Sequence, residues 1–309
     1  MSFVAFVLIT ACLQTETVSS PSDTNSSVDM SIVDFSPLGR DYPCPAENLS
    51  IVTWNLEWFP KRGRVTLEYV AEVISQLEID VLAIQELDDR REFDRLLERL
   101  PEYSGYYQSE WFAGLAYLYR NDVVAINDIH EIYTSAPYWN AFPRSPMVMD
   151  MDVDGERYLL INNHLKCCGD GLLDRDNEYD EETRRREAVQ LLQDHIESEL
   201  SEERVLLLGD LNDDIVEAEP HNVFQSLLDV PSQYRFADQA IAEGSYTEWS
   251  YPYWPSHLDH IMVTAPLFDA LGISTVSTIK LDQYIEGGWY EYDNNISDHR
   301  PVGLCLATP

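Results

Sequence analysis

Val205-Leu206-Leu207-Leu208-Gly209-Asp210-Leu211-Asn212 is an apolar run that ends in a glycine, a carboxylate and an amide. A run this short, bounded by turn chemistry, reads as a strand buried on both faces. Three other segments share the form. Ile51-Val52 leads to Trp54-Asn55, Val81 to Ile84 leads to Gln85-Glu86, and Leu159 to Ile161 leads to Asn162-Asn163-His164. Each strand ends by presenting a carboxylate, an amide or an imidazole where a rigid sheet meets solvent, a position suited to a preorganised site. Two later segments, His257-Leu258-Asp259-His260-Ile261 and Ser297-Asp298-His299-Arg300-Pro301, add further polar groups beside apolar runs.

Amphipathic stretches separate these strands. Val70, Val73, Ile74 and Leu77 share one helical face, as do Phe93, Leu96, Leu97 and Leu100. A third helix is expected over Glu181–Leu200, with Ala188, Leu191, Leu192 and His195 on its buried side. Asp152-Val153-Asp154-Gly155 predicts a hairpin turn between "PMVMDM" and "RYLLINNHL". Many strands, few helices and no linker after residue 45 point to a single α/β body around two packed sheets.

Before residue 46 the chemistry changes. Phe3 to Ala11 is an apolar run too short to span a bilayer but suited to the core of a signal peptide. Ile9-Thr10-Ala11-Cys12 resembles a bacterial lipobox, so residues 1–12 are expected to be an export signal ending at a lipidated Cys12. The basic segment usual before such a core is missing, since no Lys or Arg precedes Arg40. A plain cleaved signal and a simply disordered apolar terminus are the alternatives. Residues 13–45, rich in Ser, Thr, Asp and Pro, read as a flexible tether, leaving 46–309 as the folded domain.

The charge balance weighs against one mode of binding. Asp and Glu number 55 against 20 Lys and Arg, a formal net charge of -35. Such a surface repels polyanions, which disfavours non-specific nucleic-acid binding through a basic face. Cation-dependent handling of a phosphate ester survives, because a metal brings the missing positive charge.

Without Cys12, four cysteines remain, with three possible pairings. Cys44 precedes the first strand and Cys305 lies in the last, so they are the natural pair if those strands are neighbours. Cys167 and Cys168 are adjacent, and a bridge between them would be strained. A zinc site of His164 with both cysteines matches no common spacing.

Each polar tip alone is weak. A Gly-Asp or Asp-His pair after an apolar run is ordinarily turn or cap chemistry, and His164 alone reads equally well as a structural histidine. Six such pieces in one order are a different matter. Trp54-Asn55, Gln85-Glu86, Asn162-Asn163-His164, Gly209 to Asn212, Leu258 to Ile261 and Ser297-Asp298-His299 together resemble the endonuclease/exonuclease/phosphatase family, over Leu49 to Leu306. The resemblance implies a DNase I-like four-layer α/β/β/α sandwich of two packed mixed β-sheets. It implies a divalent-metal-dependent phosphoester hydrolase, with Mg²⁺, or else Mn²⁺ or Ca²⁺, at Glu86, Asn55 and Asp298.

Oxygen donors of this kind suit such ions. His299 is then general base or electrophilic contact to phosphate, oriented by Asp259; Asp210 and Asn212 position the attacking water, with Asp210 the alternative general base, and His164 donates to a non-bridging oxygen. Tyr119 in "YLYR", Arg144 in "PRSP", and Trp249 and Trp254 in "YTEWSYPYWP" are further substrate-binding candidates. For the aromatic loop, rigidification by its own rings is the favoured reading over stacking on a base or lipid headgroup. Asp174 to Glu182 lacks EF-hand spacing and reads as a solvated acidic insert rather than a Ca²⁺ site. The expected protein is an exported monomer of the bacterial envelope or exterior, acting on DNA or RNA; a phosphatase or phospholipase-like enzyme and a non-catalytic binding module are the alternatives.

Overall fold

Strands whose side chains meet another layer on both faces are what the unbroken apolar runs require, and the arrangement of the chain meets that requirement. The computed structural model describes residue 39 and residues 42–108 and 113–308. The expected signal, lipobox and most of the tether lie outside the described residues.

Among the described residues twelve strands form two six-stranded sheets. They are β1 (Leu49–Phe59), β2 (Val81–Leu87), β3 (Tyr103–Tyr107), β4 (Gly114–Arg120), β5 (Ala125–Glu131), β6 (Met147–Val153), β7 (Glu156–His164), β8 (Val205–Asp210), β9 (Tyr234–Phe236), β10 (Asp259–Thr264), β11 (Thr275–Thr278) and β12 (Val302–Leu306). The first sheet runs β11-β12-β1-β2-β4-β3 and the second β5-β6-β7-β8-β10-β9. Among the described residues only β1 with β2, and β7 with β8, pair in parallel.

Alternation along β1 and β8 separates the layers. Ile51, Leu206 and Leu208 face the opposing sheet, in a core shared with Val81, Met149, Leu160 and Ile261. Val52 and Trp54 face outward, under helices α1 (Arg64–Leu77) and α2 (Arg90–Arg99). Val205 and Leu207 face α3 (Glu181–Glu199), on the far side of the second sheet. The result is the four-layer α/β/β/α sandwich. Val70, Val73, Ile74 and Leu77 are buried as the spacing predicts. On α3 the buried face is Glu182, Arg185, Ala188, Val189, Leu192, Gln193 and Ile196, with the expected Leu191 half-buried at its edge. His195 is only half-buried, one step off that face, where its ring meets Tyr133 edge-on.

The hairpin between β6 and β7 turns on Asp154-Gly155, both at positive φ, the conformation that two-residue hairpins require. The boundary at residue 46 is a few residues late, because Tyr42 is buried in the core and Cys44 is bridged to Cys305. Antiparallel pairing of β1 with β12 makes those cysteines neighbours, with Cα atoms 5.3 Å apart. Replacing both by serine is expected to cost about 2–5 kcal/mol of stability, read by urea unfolding under non-reducing conditions; an unchanged midpoint would show that the bridge contributes nothing.

Candidate active site

Pairing direction gathers the polar tips. Because β1 and β2 are parallel, Asn55 and Glu86 emerge at the same edge; β7 and β8 deliver His164 and Asp210 to theirs. β10 runs antiparallel to β8 with Asp259 opposite Asp210, so its first residue joins the group. β12 runs antiparallel to β1, which places Asp298 and His299, just before it, beside Asn55. Glu86, His164, Asp210, Asn212, Asp298 and His299 line a cleft of about 520 Å³ walled also by Cys167, Cys168, Tyr251, Tyr253 and Trp254, with Asn55 and Asp259 bonded directly to its lining residues.

Asn55 is the brace at the centre. Its Nδ2 donates to Asp210 Oδ2 at 2.8 Å and to Glu86 Oε1 at 3.2 Å, and its Oδ1 accepts the Glu57 N–H at 2.9 Å. The Trp58 N–H donates to Glu86 Oε2 at 3.2 Å. Glu86 and Asn212 hold positive φ angles of 61° and 56°, a conformation costing roughly 1–3 kcal/mol each in a non-glycine residue. Asn212 is tied down by its N–H to Asp210 Oδ1 at 3.1 Å and its Nδ2 to Leu165 O at 3.3 Å.

Two imidazoles flank this carboxylate cluster. His299 Nδ1 pairs with Asp259 Oδ2 at 2.7 Å, leaving Nε2 3.8 Å from Asp210 Oδ2 and 3.9 Å from Asp298 Oδ1. Burial disfavours the imidazolium, but Asp259, Asp210 and Asp298 outweigh it and hold His299 well above the ordinary histidine range. The Tyr251 ring packs against His299 with centroids 4.8 Å apart. His164 has the opposite environment. Burial, with Arg144 and His299 nearby, drives it well below the ordinary range, so the ring is neutral. Its Nε2 faces Asp210 Oδ2 at 3.4 Å, and its buried Nδ1 has no partner. A proton on Nε2 leaves only an unpaired acceptor, the cheaper choice, and makes His164 a hydrogen-bond donor toward the cleft. Asp210 is pushed up to about 7 by burial, with Asp259 and Glu86 adding to it against His299 and Asn55.

The oxygen-rich donor set fits a hard divalent cation. Glu86, Asp210 and Asp298 line one cleft, and Glu86 and Asp210 are bridged by the neutral amide of Asn55, with His164 Nε2 3.8 Å from Glu86 Oε1 and 3.4 Å from Asp210 Oδ2. Asn55 Oδ1 accepts a single hydrogen bond and so keeps a lone pair for an ion. Asp210, Asp259 and His299 also converge, but His299 Nδ1 is already spent on Asp259. A third group, Asp238, His257 and His260, is buried and internally satisfied. His260 donates from Nδ1 to Asp238 Oδ2 at 2.6 Å and from Nε2 to Asp213 O at 2.9 Å, while His257 Nε2 donates to the same carboxylate at 3.0 Å. It braces the segment that follows Asn212 rather than offering ligand atoms.

The weaker candidates separate cleanly. Trp254 is 75% exposed on the cleft wall. Arg144 lies near enough to perturb His164, with its Nε held by Ala113 O at 2.7 Å. Trp249 is not on the cleft wall; its Nε1 donates to Ile241 O at 3.1 Å and fastens the loop. Tyr119 is not brought to the site. It pairs with Val81 at the far end of β2 and packs against the inter-sheet core, about 17 Å from Glu86 at roughly 3.3 Å per residue.

Three further residues take part. Glu57 accepts the Asp298 N–H at 2.8 Å and is raised to about 7 by burial and Asp298. Ser297 Oγ donates to Asn55 O at 2.6 Å and accepts the His299 N–H at 2.9 Å, locking β1 to the segment before β12. Ser250 Oγ accepts the N–H of Asp259 at 3.2 Å. The glutamate in "WNLEW" and the serine in "SDH" were visible signals; nothing local marks Ser250.

A DNase I-like sandwich with carboxylates, amides and two histidines gathered at one end defines a class of proteins built for phosphoester chemistry. The chain belongs to the endonuclease/exonuclease/phosphatase family, whose model matches residues 52–299. Solved structures are similar in fold. D. rerio TDP2 complexed with a single-strand DNA product is 16% identical, covering 84% of this chain and 99% of that one with a TM-score of 0.61. The endonuclease/exonuclease/phosphatase from Bacteroides vulgatus is 15% identical, covering 84% and 98%, at 0.57. The human Nocturnin catalytic domain with bound sulfate is 16% identical, covering 84% and 93%, at 0.55. No curated protein sequence matches this chain.

Proposed function

We propose that this chain is an exported, divalent-metal-dependent phosphoester hydrolase that cleaves DNA or RNA phosphodiesters. One observation carries the reading: Asn55 joins Glu86 to Asp210 while His299, fixed by Asp259, and His164 both point Nε2 at the same carboxylate. Glu86, with Asn55 and Asp298, would hold Mg²⁺, with Mn²⁺ or Ca²⁺ as substitutes. Bound there, the ion supplies Lewis-acid polarisation of the phosphoryl oxygen.

The rest falls to side chains. Asp210, oriented by Asn55 and by the Asn212 N–H, positions the attacking water and accepts its proton. His164 and His299 donate to the non-bridging oxygens as negative charge builds. Asp259 holds the His299 ring in place.

Nucleic acid is favoured by the aromatic wall, where Tyr253 and Trp254, 72% and 75% exposed, are open to stacking on a base. A structural relative holding a single-strand DNA product agrees with that choice. The net charge of -35 favours the second reading, a small or lipid phosphoester as substrate, because few phosphate contacts are available to a polyanion. Export, attachment to a membrane through a lipidated Cys12, and action as a monomer complete the proposal.

Purified protein assayed with Mg²⁺, Mn²⁺ or Ca²⁺ against plasmid DNA, RNA, sphingomyelin and a generic phosphodiester separates the two. Activity on none of them, from folded protein, would sink both. Glu86→Gln is expected to raise the metal concentration needed for half-maximal rate by about tenfold or more, since a ligand charge is lost; an unchanged metal requirement would move the ion elsewhere.

A further inference from the structure

Cys167 and Cys168 stand in the wall of the active-site cleft, both exposed, and no step of hydrolysis uses them. The Cys168 thiol points at Cys167 Sγ from 3.1 Å, and Cys168 sits at a φ of 72°. Lys166 Nζ lies 3.6 Å from Cys167 Sγ and donates to the Cys167 carbonyl at 2.8 Å. The loop is clamped from below. Arg185 Nη1 donates to both Lys166 O and Cys168 O at 2.7 Å, while its Nε holds Asp213 Oδ2 at 2.7 Å. Leu165 O receives Asn212 Nδ2. The two sulfurs are thus tied through two short paths to the segment that carries Asp210 and Asn212.

We propose that Cys167 and Cys168 form a redox modification site, closed to a vicinal disulfide by disulfide oxidants, and that closure slows the adjacent active site. A chain that makes the Cys44–Cys305 bridge meets such oxidants as it matures. In the first step Cys167 sulfur, which receives both hydrogen bonds, attacks an oxidant R–S–S–R and releases one R–SH. Cys168 sulfur then attacks the mixed disulfide at Cys167 and releases the second R–SH. The two cysteines lose two electrons and two protons, which reappear on the two R–SH products.

Neighbouring Cα atoms are about 3.8 Å apart, below the usual disulfide range, so the ring strains its own peptide and is readily reduced. Relieving that strain turns the Cys168 carbonyl away from Arg185 and loosens the guanidinium that also holds Lys166 O and Asp213 Oδ2. Cys44–Cys305, with Cys305 buried, is out of reach of the same mild reductant.

The coupling to rate rests on the hydrolase reading; the bridge itself does not. Purified protein is treated with oxidised glutathione and then with low dithiothreitol. The expected result, read by peptide mapping, is loss of the Cys167 and Cys168 thiols without glutathione or an intermolecular bond on either, a fall in phosphodiester hydrolysis of about tenfold, and recovery of both on reduction. C167S and C168S should take up glutathione without closing, and the double variant C167S/C168S should show a rate indifferent to oxidant. Stable glutathione adducts on the native pair, or intermolecular disulfides through Cys167 or Cys168, would overturn the bridge. Should the reduced protein hydrolyse nothing, the hydrolase reading fails separately. Amide hydrogen exchange over 210–214 then reads the coupling, faster exchange on closure supporting it and unchanged exchange overturning it.

Discussion

His299→Ala is expected to lower turnover of a phosphodiester by about 10³–10⁴-fold, with no recovery at any metal concentration. The residue is not an exposed group that water replaces. Its ring is buried, bonded to Asp259 at 2.7 Å and packed on Tyr251, so truncation leaves the Asp259 carboxylate buried without its partner. It also removes the cation that offsets Asp210 and Asp298, both within 4 Å. Asp259→Asn keeps the hydrogen bond but not the charge and should fall between the variant and the native enzyme. Rates are measured at saturating Mg²⁺ with folding checked by circular dichroism. A His299→Ala protein working at near-normal rate would refute the assigned chemistry.

Gly209→Ala is expected to destabilise the protein by roughly 3 kcal/mol or more and to abolish activity. Gly209 has a φ of 138° and sits opposite Asn163 in the parallel pairing of β7 with β8. A Cβ there would lie 2.0 Å from the Asn163 carbonyl oxygen, a backbone atom that cannot rotate aside. Relief requires prising β8 from β7 one residue before His164 and Asp210. Gly155→Ala is the control, since Gly155 also has positive φ but nothing within 4 Å; its cost should stay near 1 kcal/mol. Equal urea midpoints for the two variants would refute the close-approach argument.

The metal test is independent of both. Glu86→Gln acts on the cation requirement, His299→Ala on the chemical step and Gly209→Ala on the frame that holds them.

What could be read from the residues alone follows from which signals are local. Burial on both faces makes β1, β2, β7 and β8 unbroken apolar runs, and the 3.6-residue period marks α1. The polar tips named the eight central residues because catalytic groups at strand ends interrupt such runs abruptly. His195 was misplaced because helical period alone leaves a half-turn of freedom at the edge of an apolar stripe, and packing on the sheet chose Ile196 instead. Tyr119 was misplaced because an aromatic in a strand looks the same at either end of it, and only antiparallel pairing with β2 sends it away from Glu86.

The layered α/β class, the order of the polar strand ends and the acidic balance are each written in neighbouring residues. Only the tertiary structure decided that Asn55 bridges Glu86 to Asp210, that His299 is surrounded by carboxylates while His164 is held neutral, and that Glu57, Ser250 and Ser297 support them. The physical reason is that hydrogen bonds and desolvation act through space between strands far apart in the chain, and no local pattern encodes them.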